Sequence, residues 1–335
     1  MNWILKGVLV LFISTSISSE LEAHDIPKID FRKADSVAAH WHRYPIQNLR
    51  ELSIKLTTGL ATDLEKYRSI FKWVCDNIEN DYQLFLQNKK VRSKYYDQPD
   101  KLNEWNTRLH RKSFHRLVTE YKTLCSGYAY LVKELAYHAG LEASIVNGYG
   151  RATLSMNKNV PNHSWNAVKI DGIWYISDPT WASGSIHPEG FRHEFNEVYF
   201  LMKPELAIWN HYPLESKWMF VDDVPTLEEF LGWPLLYKKA LIEGIIPISP
   251  MQIKTRSRTN REEITFQISS SEEIKSLNLN IVHKGYNTRH KPSIERDKLG
   301  YRFSQSFDMT GIYNVNIKMG EEYLISYEVQ VGRMK

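Results

Sequence analysis

Residues 162–181 read NHSWNAVKIDGIWYISDPTW. Two short runs of strand-forming residues, Ser164 to Ile170 and Ile173 to Ser177, flank Asp171-Gly172, a dipeptide that favours a two-residue hairpin turn because both central positions need positive φ. Such a turn pairs Ile170 with Ile173 and sets Trp165 opposite Asp178. His163 lies two residues before Trp165 on the same face, so it becomes the diagonal neighbour of Asp178, with Cα atoms about 7–8 Å apart and side chains in reach. An odd loop length or a bulge would separate them. The stretch therefore predicts an antiparallel hairpin with an imidazole and a carboxylate meeting at its open end.

Upstream, Tyr128, Leu131, Val132, Leu135 and Ala139 recur at helical spacing and Gly140 suits a C-terminal stop, which predicts a helix opening at Cys125. A cysteine at a helix start has backbone N–H groups and the positive end of the dipole beside its sulfur, and both favour the thiolate. Ser126 and Gly127 leave room around it. Nucleophilic cysteine chemistry needs a thiolate, an imidazole to hold and relay a proton, and a group to orient the imidazole. Cys125, His163 and Asp178 supply the three.

A capping box, Thr62-Asp-Leu-Glu65, precedes Tyr67, Ile70, Phe71, Val74 and Ile78, predicting a helix over about 63–79 with Cys75 on or beside its apolar face, in a packing role. A disulfide between Cys75 and Cys125, the only two cysteines, is a rival reading, but the two positions differ in kind. Glu142 to Val146 reads as a further strand, and helices followed by an antiparallel sheet make an α+β core.

The chain has 335 residues, 42% hydrophobic and 24% charged, the balance of a globular protein rather than a disordered one. A net charge of +4 points to no nucleic-acid partner. Lys6, the apolar run Gly7 to Ile17 and the small and polar residues 18–23 read as an export signal cleaved after Ala23, too short to span a bilayer. The mature chain is expected to be secreted or periplasmic, without a membrane span. Residues 88–116 hold nine Lys or Arg against Asp97, Asp100 and Glu104, which reads either as a solvated excursion or as a basic lid or anionic-substrate surface directly before Cys125.

A second capping box at Thr226 to Glu229 starts a short helix through Phe230, and Pro247 and Pro250 punctuate the chain. Beyond them Ile264–Ile268, Leu277–Ile281, Tyr301–Phe303, Tyr313–Ile317 and Ile325–Val331 alternate with period two, predicting a small all-β, immunoglobulin-like sandwich. The expected division is 1–23 signal, 24–246 catalytic domain and 247–335 sandwich. The histidines other than His163, His211 included, show no comparable arrangement. His187, His193 and Glu194 fit no helical ligand pair, so no metal or other cofactor is expected.

Cys125-Ser-Gly-Tyr-Ala129, Asn162-His-Ser-Trp-Asn166 and Trp174-Tyr-Ile-Ser-Asp-Pro-Thr-Trp181, in that order and with 37 and 14 residues between the three reactive side chains, resemble the transglutaminase-like superfamily of cysteine peptidases, amidases and acyl transferases. Trp73-Val74, Tyr199 to Pro204, His211-Tyr-Pro213 and Trp218 look most like its kyphoscoliosis-peptidase branch. The resemblance implies a papain-like α+β core followed by a β-sandwich, with Cys125 as nucleophile, His163 as general base and acid, and Asp178 as orienting group. It implies a cysteine-dependent hydrolase acting on a protein, peptide or cell-wall peptide, with a protein-glutamine acyltransferase or a non-catalytic envelope scaffold as the alternatives.

Two departures stand out. Thr123 occupies a position often held by glycine, and no glutamine lies between Pro99 and Leu124 to serve as a papain-style oxyanion donor. The Cys125 N–H, with Asn103, Trp105 or Asn106, is the expected substitute, and Trp165 and Trp181 are further substrate-side candidates.

Overall fold

The computed structural model describes residues 29–332 apart from 260, 261 and 271. The signal expected at 1–23 lies outside them. No described helix is long and apolar enough to cross a membrane.

Helices α1 (Arg32–His40), α2 (Leu49–Thr57) and α3 (Asp63–Asn77) build the first layer. The Thr62 hydroxyl and the Glu65 carboxylate close the capping box at the start of α3, which satisfies donors that a helix start otherwise leaves open. Tyr67, Ile70, Phe71, Val74 and Cys75 are buried, each large one contributing about 1.5–3 kcal/mol by leaving water. The helix stops at Asn77, two residues before the expected end, because Ile78 turns extended and β1 (Glu79–Asn80) pairs in parallel with β2 (Lys122–Thr123).

Between β1 and β2 stand α4 (Tyr82–Lys94) and α5 (Pro99–Glu120). The basic stretch 88–116 is therefore most of a helical hairpin. The Arg116 guanidinium, 2.7 Å from Asp81, ties its base together, and Trp105 Nε1 donates to Asn88 Oδ1 across the pair at 2.9 Å.

Helix α6 (Cys125–His138) buries Tyr128, Ala129, Leu131, Val132, Leu135 and Ala136 against an antiparallel sheet. Its strands β3 (Glu142–Gly150), β4 (His163–Ile170) and β5 (Ile173–Ser177) are followed by the small β6 (Gly184–His187) and β7 (Gly190–His193) hairpin, and by β8 (His211–Pro213), which closes the order β5-β4-β3-β8. The β4–β5 register has Ile170 opposite Ile173 and Asn166 opposite Ser177. Asp171 at φ 50° and Gly172 at φ 87° both take the left-handed conformation that a type I′ turn requires.

The C-terminal third is two facing sheets. β10 (Ile246–Ser249), β12 (Ile264–Ser269), β16 (Tyr301–Gln305) and β15 (Glu295–Arg296) form one; β11 (Lys254–Ser257), β18 (Glu322–Val331), β17 (Gly311–Met319), β13 (Asn278–His283) and β14 (Tyr286–His290) form the other. Phe266 of the first sheet and Tyr327 of the second pack with ring centroids 5.0 Å apart. The order corresponds to the ABED and CFG sheets of immunoglobulin sandwiches, with an added C′ strand and a first strand divided between the sheets.

The boundary expected at 247 falls inside β10. Structurally the sandwich starts earlier, since β9 (Leu235–Leu236) already pairs with β18 and α10 (Lys238–Ile242) bears on that strand through Lys239, whose ammonium approaches Glu322. Prolines punctuate a chain without ending a sheet when a strand can begin beside them.

Candidate active site

Strand β3 carries Gly148 and Gly150, and these two residues explain how two imidazoles meet. His163 on β4 pairs with Gly148, and His211 on β8 pairs with Gly150. A Cβ on Gly150 would stand 2.8 Å from the His163 ring, and one on Gly148 would meet the Trp165 ring at 2.7 Å and the Tyr212 carbonyl at 2.1 Å. With no side chain between them, the His163 and His211 rings lie 5.7 Å apart.

Asp178 follows β5 and N-caps α7 (Pro179–Ala182). Its Oδ1 accepts from the backbone N–H of Thr180 at 2.9 Å and of Trp181 at 3.1 Å. Its Oδ2 accepts from His163 Nε2 at 2.7 Å and from His211 Nε2 at 2.9 Å. The helix-capping role that any Asp before Pro suggests and the orienting role are thus held by one carboxylate, an oxygen for each. Asp178 is fully buried, and four donors around it compensate the lost hydration.

With Nε2 given to Asp178, the Nδ1 of His163 is the nitrogen left to interact with Cys125, which is near enough for each to shift the other's ionisation. Cys125 opens α6 after an N-cap, Leu124, whose side chain caps nothing; the Gly127 N–H turns to the Leu124 carbonyl at 2.9 Å, which leaves those of Cys125 and Ser126 at the helix start. Gly127 allows Thr123 to pack onto that turn: a Cβ there would lie 2.0 Å from Thr123 Oγ1, which hydrogen-bonds Ser113 Oγ at 2.9 Å. Thr123, in a position often held by glycine in similar proteins, is accommodated by the glycine four residues on.

Electrostatics follow from these contacts. Burial works against ionising Cys125, but the hydrogen bond and charge of His163 and the Ser164 N–H outweigh it and hold the thiol below its ordinary value. Burial likewise opposes a charge on His163, yet Asp178, and then Cys125, push it up to about 10. Asp178 overcomes its own burial through both histidines and lies well below the usual carboxylate range. Burial, helped by the charge on His163, holds His211 below the ordinary imidazole value despite Asp178. These contacts favour the thiolate of Cys125 and the imidazolium of His163, and disfavour a charge on His211, which shares the carboxylate.

His211 is the residue that the sequence reading passed over. Its strand is three residues long and returns to the sheet 33 residues after Asp178, with no periodicity to announce it; its place in His211-Tyr-Pro213 was the available signal. Trp181 stacks on His163 at 4.8 Å and is partly exposed, as a substrate-side residue must be. Trp165 is fully buried, edge-on to His211 at 4.9 Å, so it supports the histidines from within and has no access to a substrate.

The oxyanion expectations for α5 are also corrected. Trp105 spends its N–H on Asn88, while Asn103 and Asn106 stand on the same helix without a hydrogen bond to the triad. The sequence pattern assigned no helix to this stretch, whereas Pro99–Glu120 is one continuous helix.

Cys75 is buried and its thiol points to the Pro179 carbonyl at 3.5 Å. Burial pushes it well above the usual thiol value, and both cysteines are free thiols. The ligand atoms of His163, Asp178 and His211 lie within 4.8 Å of one another, the spacing of a metal site. Each Nε2 is already engaged by Asp178, and hydrogen bonding alone accounts for the grouping. His187 and His193 are turned to Ser185 Oγ and the Cys75 carbonyl.

Comparison with known proteins finds what this chain is similar to. Residues 50–179 match the transglutaminase-like superfamily. Kyphoscoliosis peptidase of Homo sapiens is 29% identical over 255 residues, 74% of this chain and 35% of that protein. Its Mus musculus counterpart is 26% identical over 246 residues, 71% of this chain and 34% of that one. Hillarin of Drosophila melanogaster is 24% identical over 225 residues, covering 62% and 25%. The chain spans about a third of the length of the kyphoscoliosis peptidases it matches. Residues 50–179, which hold a cysteine, a histidine and an aspartate in this order, thus match the transglutaminase-like superfamily, and over a longer stretch the chain is similar to kyphoscoliosis peptidases.

Proposed function

We propose that this protein hydrolyses an amide bond of a protein or peptide through a thioester on Cys125. The observation that carries the reading is the 2.7 Å hydrogen bond of His163 to Asp178 beside Cys125, with the thiol held down and the imidazole held up. The thiolate attacks the carbonyl carbon, and the charge that develops on oxygen falls beside the first-turn N–H groups of α6, Cys125's own among them. His163 gives its proton to the departing amine as the C–N bond breaks, leaving a thioester. A water then loses a proton to the same imidazole, attacks, and expels the thiolate. Asp178 keeps the ring oriented and stabilises the imidazolium throughout.

Hydrolysis is preferred to acyl transfer because water reaches a partly exposed thiol without any dedicated amine site. The export pattern at 1–23 completes the reading with an extracytoplasmic substrate; amino-terminal sequencing of material recovered outside the cytoplasm tests that part. The activity is tested by profiling the protein on peptide, peptidoglycan-stem and glutamine-donor amides, with and without an added amine. Turnover that Cys125→Ala abolishes and that needs no amine supports hydrolysis. Turnover unchanged by Cys125→Ala refutes the mechanism, and product formed only with the amine assigns a transferase.

A further inference from the structure

The α4–α5 hairpin carries the net charge of the whole chain. Residues 88–116 contain nine of the 43 Lys and Arg and three of the 39 Asp and Glu, which leaves 34 basic against 36 acidic residues elsewhere. Of the nine, Arg116 is ion-paired, to Asp81 and Glu120. Lys89, Lys90, Arg108 and Arg111 are exposed and, among the described residues, make no ion pair. A helical hairpin that needed these charges for its own stability would pair them at i,i+4; four cations left open to solvent serve the fold little.

The hairpin is also anchored two residues from each of Cys125 and His163. Its two ends are bound together by the β1–β2 pair, and β2 ends two residues before Cys125. Ser113 of α5 hydrogen-bonds Thr123, and the Phe114 ring meets Tyr130 of α6 edge-on at 6.3 Å. From α4, the Arg92 guanidinium reaches the Pro161 carbonyl at 3.5 Å, two residues from His163. Anything seated on Cys125 and extending past the start of α6 passes this arm. The arm also exposes Phe85, Leu86 and Phe114, so it offers apolar contacts among the cations.

We propose that the α4–α5 hairpin recruits an acidic polypeptide segment adjoining the scissile amide, so that the substrate is a protein with Asp- or Glu-rich sequence flanking the cleaved bond. This rests on the proposed chemistry at Cys125 and adds the substrate class. Fixed positive potential beside a reactive group raises the encounter rate of an anionic partner, by 10- to 1,000-fold in steered associations, and it fades as salt screens it.

The test uses the full chain and two chloroacetamide peptides identical but for a flank of four Glu or four Lys. At low salt the Glu peptide should alkylate Cys125 on the order of tenfold faster than the Lys peptide, a preference that shrinks in 0.5 M NaCl. The Lys89→Glu, Lys90→Glu, Arg108→Glu, Arg111→Glu variant should invert it, while alkylation by neutral iodoacetamide stays at the wild-type rate. Should that variant misfold, Lys89→Glu with Arg108→Glu gives a smaller shift of the same sign.

Equal rates for the two peptides in the wild type, or a preference that survives charge reversal, would overturn the proposal. Failure of iodoacetamide itself to label Cys125 counts against the catalytic reading instead. The hairpin is then judged by fluorescence anisotropy of the same peptides without the chloroacetamide, where a tenfold loss of Glu-peptide affinity on charge reversal supports it and no loss refutes it. Tighter binding of a DNA duplex or of phosphatidylserine vesicles than of the Glu peptide at 0.15 M NaCl would also refute the choice of partner.

Discussion

Replacing Asp178 with Asn changes a single atom in a buried site, and its cost can be worked from the contacts. At Oδ1 an amide oxygen still accepts from Thr180 and Trp181. At the other position an amide NH₂ faces His163 Nε2 and His211 Nε2, so two donors meet donors. Hydrogen bonds to a charged group are worth about 1.5–3 kcal/mol each, and breaking a buried charged pair costs about 3–5 kcal/mol. The variant should lose about 3–5 kcal/mol, a large share of the ~5–15 kcal/mol a domain has.

The pH dependence sharpens the prediction. His163, raised from 6.5 to about 10, contributes stability that is complete below 6.5 and lost as pH rises toward about 10. Cys125, lowered from 9.0, contributes stability that is complete above 9.0 and lost as pH falls through its lowered value. In the overlap one gain grows as the other shrinks, so the pair's contribution is level there and declines from about 9 to about 10. Without Asp178 the burial of His163 is uncompensated and the ring becomes neutral, the thiol reprotonates, and the alkaline loss between about 9 and 10 disappears. Urea unfolding from pH 5 to 10 measures both effects. An Asp178→Asn protein with wild-type midpoints and the wild-type alkaline decline would refute the electrostatic account of the site.

Two further substitutions test the geometry. His211→Phe removes one of four donors from Asp178 and should cost about 1.5–3 kcal/mol, visible as a lower melting temperature, while Cys125 keeps its reactivity toward iodoacetamide because the His163–Asp178 bond survives; loss of reactivity equal to that of Asp178→Asn would show that His211 cannot be separated from the relay. Gly127→Ala drives a Cβ to 2.0 Å from Thr123 Oγ1 and 2.8 Å from Thr123 Cβ and should cost about 1–3 kcal/mol by overpacking, part of it recovered in the double variant with Thr123→Gly, which removes both atoms. Additive effects in that cycle would contradict the packing of Thr123 on the first turn of α6.

Local signals made the centre of this site readable. Asp171-Gly172 sets the β4–β5 register by turn geometry alone, and the register brings His163 to Asp178. Cys125 was identifiable because a helix start is marked by the stripe behind it. What was not legible depends on distant chain. His211 reaches Asp178 only because β8 closes the sheet beside two glycines of β3. Helices α1 and α5 have no side-chain N-cap, and the charges of α4 and α5 hide their periodicity, so a hairpin that packs against α6 reads as an irregular excursion. That misreading also produced the oxyanion candidates on α5. The alternating strands of the sandwich were plain, whereas its beginning was not, since β9 finds its partner about 90 residues later and β11 pairs in parallel with the last strand.

The ionisation of Cys125 is the claim from which the rest follows. Intact-mass measurement of iodoacetamide alkylation from pH 4 to 10, with Cys125→Ala to confirm the labelled residue, determines it. The account predicts a single fast-reacting thiol, Cys125, whose alkylation rate reaches its plateau at a lower pH than that of an ordinary thiol. A rate that instead climbs through an ordinary thiol value near 8.5, or label appearing on Cys75 as readily as on Cys125, would contradict it.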